Sequence, residues 1–227
     1  MGSRRLDVDL VAFDLDNTLY DEGQYFAAAF DLVAPWLAAK TGRAPAAIVR
    51  RLEEILAEKG RHYHYLFTDV LAELGLDATT ELGGVLERFR SVHTTLRTFP
   101  GVPELLADLG RRYCLGLITS GMRAVQENKL RLLGLGSCFS HVVFSSTLPE
   151  NKPGRLPFLT LLEAAGIAPA RAVYVGDNPL FDFRGANEIG MLTVRVRNAE
   201  LDQLQVPPGA DGQIKVEQVR DLREMLL

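Results

Sequence analysis

The chain reads as an α/β protein whose doubly wound parallel sheet is interrupted, after its first strand, by an all-helical insert. Three observations predict this. A short apolar run, Val8 to Phe13, stops at Asp14-Leu15-Asp16, as a buried strand does when it ends at a ligand crevice. From Asp21 to Thr95 apolar residues recur at helical spacing without a convincing strand. From Phe99 onward, short β-rich runs alternate with helical stretches, the pattern of parallel βαβ units.

Within the insert, Gln24 to Lys40 carries a broad apolar face, and Pro35 predicts a kink or a break into two helices. Ala46 to Lys59, Tyr65 to Leu74 and Glu81 to Val92 continue the helical spacing, with Gly42, Gly60 and Gly75 as stops. Pro103 then sits in the first turn of a helix that Gly110 closes. Strands are predicted at Tyr113 to Ile118, Val142 to Ser145, Ala172 to Val175 and Leu192 to Val196, separated by helices ending at Gly134, Gly166 and Gly190. Pro207, Pro208 and Gly209 mark a loop before an edge strand, Gln213 to Val216, and a terminal helix, Val219 to Leu227. The predicted organisation is a core of residues 1–20 and 97–227 and a helical insert of residues 21–96. Two close-lying connections, Tyr20 to Gly23 and Arg97 to Gly101, make a natural hinge.

Composition narrows the function classes. Hydrophobic residues make up 47% of the 227 and charged residues 24%, near the globular average, which argues against a disordered or low-complexity chain. A net charge of -4 argues against a nucleic-acid partner, which needs a clustered basic face. Cys114 and Cys138 are too few for a disulfide framework. No secretory leader is evident, and Tyr25 to Ala39, interrupted by Asp31 and Pro35, falls short of the ~20 residues that span a bilayer. The expectation is a cytoplasmic monomer or homodimer without a membrane partner.

Chemistry concentrates at the ends of the predicted strands. Asp14 and Asp16 repel one another unless a cation or proton compensates them, although alone they also fit a solvated turn. Thr119-Ser120-Gly121 offers a hydroxyl, N–H groups and a glycine for close approach, suiting a phosphate oxygen or, equally, a helix cap. Lys152 supplies a point charge for a phosphoryl group. Lys129 is its rival, but inside the helical stretch Ala124 to Leu133 it is expected to be solvated. Asp177 follows Gly176, and Asp182 lies five residues on; each has a local alternative, a Gly-Asp turn and a helix N-cap. Converging with Asp14 and Asp16, they make a field for a hard divalent ion, with Mg2+ favoured over Ca2+ because it needs few protein carboxylates and leaves room for a phosphate. His62 and His64 lie two apart, which on a helix turns them to different faces and argues against a metal pair.

These phrases, in this order, resemble the four motifs of the haloacid dehalogenase-like hydrolase superfamily: Asp14-Leu15-Asp16-Asn17-Thr18, Ile118-Thr119-Ser120-Gly121, Lys152-Pro153, and Gly176-Asp177-Asn178 through Asp182. Phe99-Pro100-Gly101-Val102 and Gly185-Ala186-Asn187 are similar to that family too, and the insert resembles its helical cap of the first type. The resemblance implies a Rossmann-like core and a Mg2+-dependent phosphatase of small phosphate monoesters, such as nucleoside monophosphates or sugar phosphates. It implies Asp14 as nucleophile forming an aspartyl-phosphate and Asp16 as acid and then base. Thr18 would orient Asp16. Thr119, Ser120, Gly121 and Lys152 would hold the phosphoryl group, and Asp14, the Asp16 carbonyl, Asp177 and Asp182 would hold the metal, the last through water or by pairing with Lys152. A 2-haloacid dehalogenase, a sugar phosphomutase and a non-enzymatic phospho-accepting regulator are the alternatives. Halide needs no proton to leave, so Asp16 favours phosphate.

Overall fold

A computed structural model describes residues 6–197, 201, 204, 206, 207 and 209–227; of the loop expected around Pro207 to Gly209, Pro208 lies outside them. The chain divides into two compact units, one of residues up to Glu22 together with those from Leu96 onward, the other Gly23–Thr95.

The first unit is a six-stranded sheet in which every pairing is parallel, in the order β3-β2-β1-β4-β5-β6. The strands are β1 (Leu10–Phe13), β2 (Cys114–Thr119), β3 (His141–Phe144), β4 (Ala172–Gly176), β5 (Leu192–Val196) and β6 (Ile214–Val216). All four residues of β1 are buried, as a central strand covered on both faces requires. Its helices are α5 (Val102–Gly110), α6 (Arg123–Leu133), α7 (Leu156–Ala165), α8 (Arg184–Glu188) and α9 (Arg223–Leu226), numbered after the four of the second unit.

Alternation along β2 shows how two layers are served. Gly116 and Ile118 face α7, where a Cβ on Gly116 would meet Leu161 at 2.8 Å, while Leu115 turns toward α5. Leu10, Ala12, Ile118, Phe158, Leu161, Tyr174, Phe183 and Met191 form the core on the α7 and α8 side. The strand order reverses between β1 and β4, and at such a switch point the outer ends of neighbouring strands open a ligand crevice. Asp14 and Asp177 directly follow these two strands.

The second unit packs α1 (Gly23–Thr41), α2 (Pro45–Lys59), α3 (Leu66–Glu73) and α4 (Ala78–Arg90) around Phe30, Val33, Leu37, Ile48, Leu52, Val70, Leu71 and Val85. Of the two outcomes expected at Pro35, a kink or a break into two helices, the break does not occur: α1 runs through it. A mid-helix proline costs about 3 kcal/mol. Phe30, Val33 and Leu37 are 0–1% exposed, and burying such side chains returns roughly 1.5–3 kcal/mol each, enough to keep the helix whole. The terminal helix is likewise shorter than expected, a 3-10 turn at Val219–Leu222 leading into α9. The two chain passages between the units lie side by side, because Tyr20 bridges Thr98 and the Phe99 N–H donates to the Leu19 carbonyl at 2.9 Å.

Candidate active site

The site assembles in the first unit from the loops after β1, β2, β3 and β4. Asp14 is pinned at once, since its N–H donates to the Val175 carbonyl of β4 at 2.8 Å. The Lys152 ammonium donates to Asp14 Oδ1 at 2.5 Å, to Asp182 Oδ1 at 2.8 Å and to the Tyr174 hydroxyl at 3.1 Å. Asp182 is fixed from the other side by the Asn178 N–H, which donates to Oδ2 at 2.9 Å. Gly176 makes room for it, because a Cβ there would lie 2.5 Å from Asp182 Oδ2.

Charge in this cluster does not balance. Asp14, Asp177, Asp182 and Lys152 are 7%, 3%, 1% and 6% exposed, so water screens little, and one ammonium faces three carboxylates. Burial favours the neutral amine of Lys152, but Asp14 and Asp182 outweigh it and hold the ammonium well above its ordinary range. Burial likewise pushes the Asp14 carboxyl well above the usual carboxylate range; Lys152 opposes this, while Asp182, Asp16 and Asp177 reinforce it. Oxygen atoms of Asp14, Asp177 and Asp182 all lie within 4.8 Å of one another. An all-oxygen set carrying surplus negative charge fits a hard divalent cation.

Asp16 occupies a different electrostatic setting. Its Oδ1 accepts from Lys129 Nζ at 2.7 Å and from the Tyr20 hydroxyl at 2.7 Å, and its Oδ2 from Gln126 Nε2 at 2.7 Å. Burial favours the protonated form, but the Lys129 charge and the hydrogen bonds from Lys129, Gln126 and Tyr20 outweigh it, holding the carboxyl below its usual range. The expected solvation of Lys129 is therefore corrected. The residue is 3% exposed and shared between Asp16 and Glu22, the latter at 2.9 Å. Burial favours its neutral amine, yet the two acids raise it above the ordinary lysine range. With its carboxylate so engaged, Asp16 has its main-chain carbonyl left to offer a metal.

The phosphate-binding candidates lie at the end of β2. Gly121 takes φ 100°, a left-handed turn that glycine accepts readily. Ser120 Oγ is 2.9 Å from Ser145 Oγ, Ser145 also contacts Asn151 Oδ1, and that same oxygen accepts from the Lys152 N–H at 2.8 Å. Asn151 thereby ties the loop carrying Ser120 to the one carrying Lys152. Thr119 is fully buried and its Oγ1 accepts from Gln126 Nε2 at 2.6 Å. Thr18 was expected to orient Asp16; its hydroxyl donates instead to Asp177 Oδ1, over a long 3.4 Å.

The structure thus brings together Asp14, Lys152, Asp177 and Asp182, with Thr18 on Asp177, and places Asp16 beside them in its own cage. Gln126, Glu22, Tyr20, Tyr174 and Asn151 are site residues that the sequence does not single out, and Lys129 is one weighed against Lys152 and set aside as solvated. One signal was available: Gln126 and Lys129 lie three apart, hence on one helix face, and that face also carries Val125 and Leu130. Polar residues at core-facing positions mark an unusual demand. The demand is visible in Gln126, whose Oε1 is buried with no hydrogen-bond partner, a penalty of roughly 1–3 kcal/mol. Outside the site, Tyr63 donates to Asp69 Oδ2 at 2.7 Å, and Tyr25, Phe26, Phe30 and Phe89 stack inside the helical unit.

The family model for haloacid dehalogenase-like hydrolases matches residues 11–196, a span that runs from β1 through β5. The chain belongs to this family. Among haloacid dehalogenase-like hydrolases it is 30% identical over 225 residues to the glyceraldehyde 3-phosphate phosphatase of Methanopyrus kandleri, covering 96% of each chain. It is 36% identical over 159 residues to the phosphoserine phosphatase of Thermus thermophilus, covering 66% of this chain and 61% of that one. A crystal structure of a 2-haloacid dehalogenase from Pseudomonas syringae pv. Tomato matches with a TM-score of 0.67 at 27% identity, over 96% of this chain and 97% of that one. Among the described residues, no helix is long and apolar enough to cross a membrane.

Proposed function

We propose that this member of the family is a Mg2+-dependent phosphatase of small phosphate monoesters. One observation carries the reading: the two carboxylates one residue apart have separate cations, Asp14 with Lys152 and Asp16 with Lys129. Paired carboxylates in unlike environments take unlike chemical roles. Asp14 attacks phosphorus, forming a carboxylate oxygen–phosphorus bond as the bond to the leaving oxygen breaks. Asp16 delivers a proton to that oxygen and later takes one from the water that attacks the aspartyl-phosphate, releasing phosphate and free Asp14. Without substrate Asp16 is held in its ionised form; the negative charge of an arriving phosphate raises its proton affinity. Lys152 and the Thr119-Ser120-Gly121 turn stabilise the phosphoryl oxygens, where most of the catalysis of phosphoryl transfer resides. A divalent ion on Asp14, Asp177, Asp182 and the Asp16 carbonyl would supply further positive charge against that group, and Mg2+ suits the oxygen set.

A dehalogenase shares this fold, but a departing halide takes no proton, so that reaction has no need of the acid at Asp16. By their names, the two phosphatases among the relatives above act on short phosphorylated compounds, and such monoesters lead the substrate screen. Purified protein is assayed for phosphate release from glyceraldehyde 3-phosphate, phosphoserine, phosphoglycolate, sugar phosphates and nucleoside monophosphates, and for halide release from 2-haloacids, with Mg2+ and with chelator. Phosphate release that needs Mg2+ is expected. Halide release with no phosphatase activity overturns the proposal.

A further inference from the structure

Lys129 and Gln126 do more than fill the inner face of α6. We propose that they act as a positioning pair which fixes the carboxylate of Asp16 for both proton transfers, an inference that rests on the phosphatase reading above. Three features carry it. The two side chains, three residues apart on one helix, reach opposite oxygens of the same carboxylate, each at 2.7 Å. Neither is free to wander. The Lys129 ammonium is anchored at its far side by Glu22, the residue immediately before α1 begins, and the Gln126 amide nitrogen also lies within hydrogen-bonding reach of the Thr119 hydroxyl and the Ser120 carbonyl, which share its two hydrogens with Asp16. The amide orientation follows from those contacts, since Asp16 and the Ser120 carbonyl are both acceptors and both require the NH2 group.

The third feature is where the residues stand. α6 turns Val125, Gln126, Lys129 and Leu130 inward, and apolar side chains at all four places would satisfy the helix and its packing. Instead a lysine is buried and a glutamine leaves an acceptor unpaired. Both exceptions converge on one carboxylate, and reacting groups are useful only when held within narrow angular limits. Neither side chain is assigned contact with the substrate, so both are positioning residues that act through Asp16.

The test separates leaving groups by whether they need a proton. Wild type, Lys129→Met and Gln126→Leu are compared in stopped flow on an alkyl phosphate that wild type hydrolyses and on 2,4-dinitrophenyl phosphate, whose phenolate leaves unaided. Because removal of Lys129 leaves Asp16 and Glu22 facing each other, the charge-balanced double variant Lys129→Met, Glu22→Gln is run alongside. The expected result is a loss of about 100-fold in phosphoryl transfer from the alkyl phosphate, with KM little changed. With the dinitrophenyl ester, a rapid burst of phenolate should persist, followed by slow turnover as the aspartyl-phosphate waits for its base. Equal losses in the first step on both esters, or unchanged alkyl phosphate kinetics in the folded double variant, overturn the assignment. Wild type inactive on every phosphate monoester would instead remove the phosphatase reading beneath it.

Discussion

Replacing Lys152 with methionine keeps most of the volume of the side chain and deletes its charge, leaving Asp14 and Asp182 to face each other with the contacts of 2.5 and 2.8 Å lost. Breaking a buried ion pair by removing one partner typically destabilises by about 3–5 kcal/mol. At roughly 2–4 °C per kcal/mol for a chain of this size, the melting temperature in chelator should fall by about 6–20 °C. The deficit should depend on pH. Unfolded, Asp14 titrates near about 3.9; in the fold its proton is retained to well above that value. Stability linked to that proton is complete below about pH 4 and is lost as pH rises through the raised value. Lys152 is the group that lowers Asp14, so its removal moves the folded value further up and widens the window. Lys152 itself, raised above its ordinary range, contributes no slope between pH 5 and 8. Thermal unfolding of both proteins at pH 5 and pH 8 therefore reads the reasoning directly. A larger deficit at pH 8 is expected; equal melting temperatures at pH 8, or a larger deficit at pH 5, would refute it.

Two other predictions concern the nucleophile and the scaffold beneath it. Asp14→Asn should lower kcat on the best phosphate monoester by about 10^4 or more, and a loss below tenfold in steady-state assays would exclude Asp14 as nucleophile. Gly185→Ala places a Cβ 2.3 Å from the Gly154 carbonyl oxygen and 2.7 Å from that of Pro153, both backbone atoms next to Lys152. Overpacking of this kind costs about 1–3 kcal/mol, so calorimetry should show a lower melting temperature together with reduced kcat; an unchanged melting temperature would show that the loop yields freely.

Much of the fold was legible because short apolar runs and helical spacing are local properties. Leu192 to Val196 is a strand end to end, and the others differ by a residue or two where flanking turns compete. For the opposite reason Pro35 does not break α1: its local penalty is real, but the burial of Phe30, Val33 and Leu37 that offsets it comes from packing against elements distant in sequence, α2 and α4 foremost. The same division runs through the site. Asp14 and Asp177 announce themselves by directly following apolar runs, Lys152 by its place in a loop before Pro153 and Asp182 by its spacing from Asp177, and all four meet. Lys129 sits mid-helix, where charge is ordinarily solvated, and nothing within α6 says that Asp16 and Glu22 wait more than a hundred residues away in sequence.

The amino-acid order alone settled the α/β class, the helical insert and the kinds of side chain offered at the strand ends, because period, turn chemistry and residue type act over a few positions. Tertiary structure decided which cation serves which carboxylate. A carboxylate's protonation and role depend on burial and on charges a few ångströms distant, and only the folded sheet, by bringing the loop after β1 against α6 and the loop after β3, determines what those neighbours are.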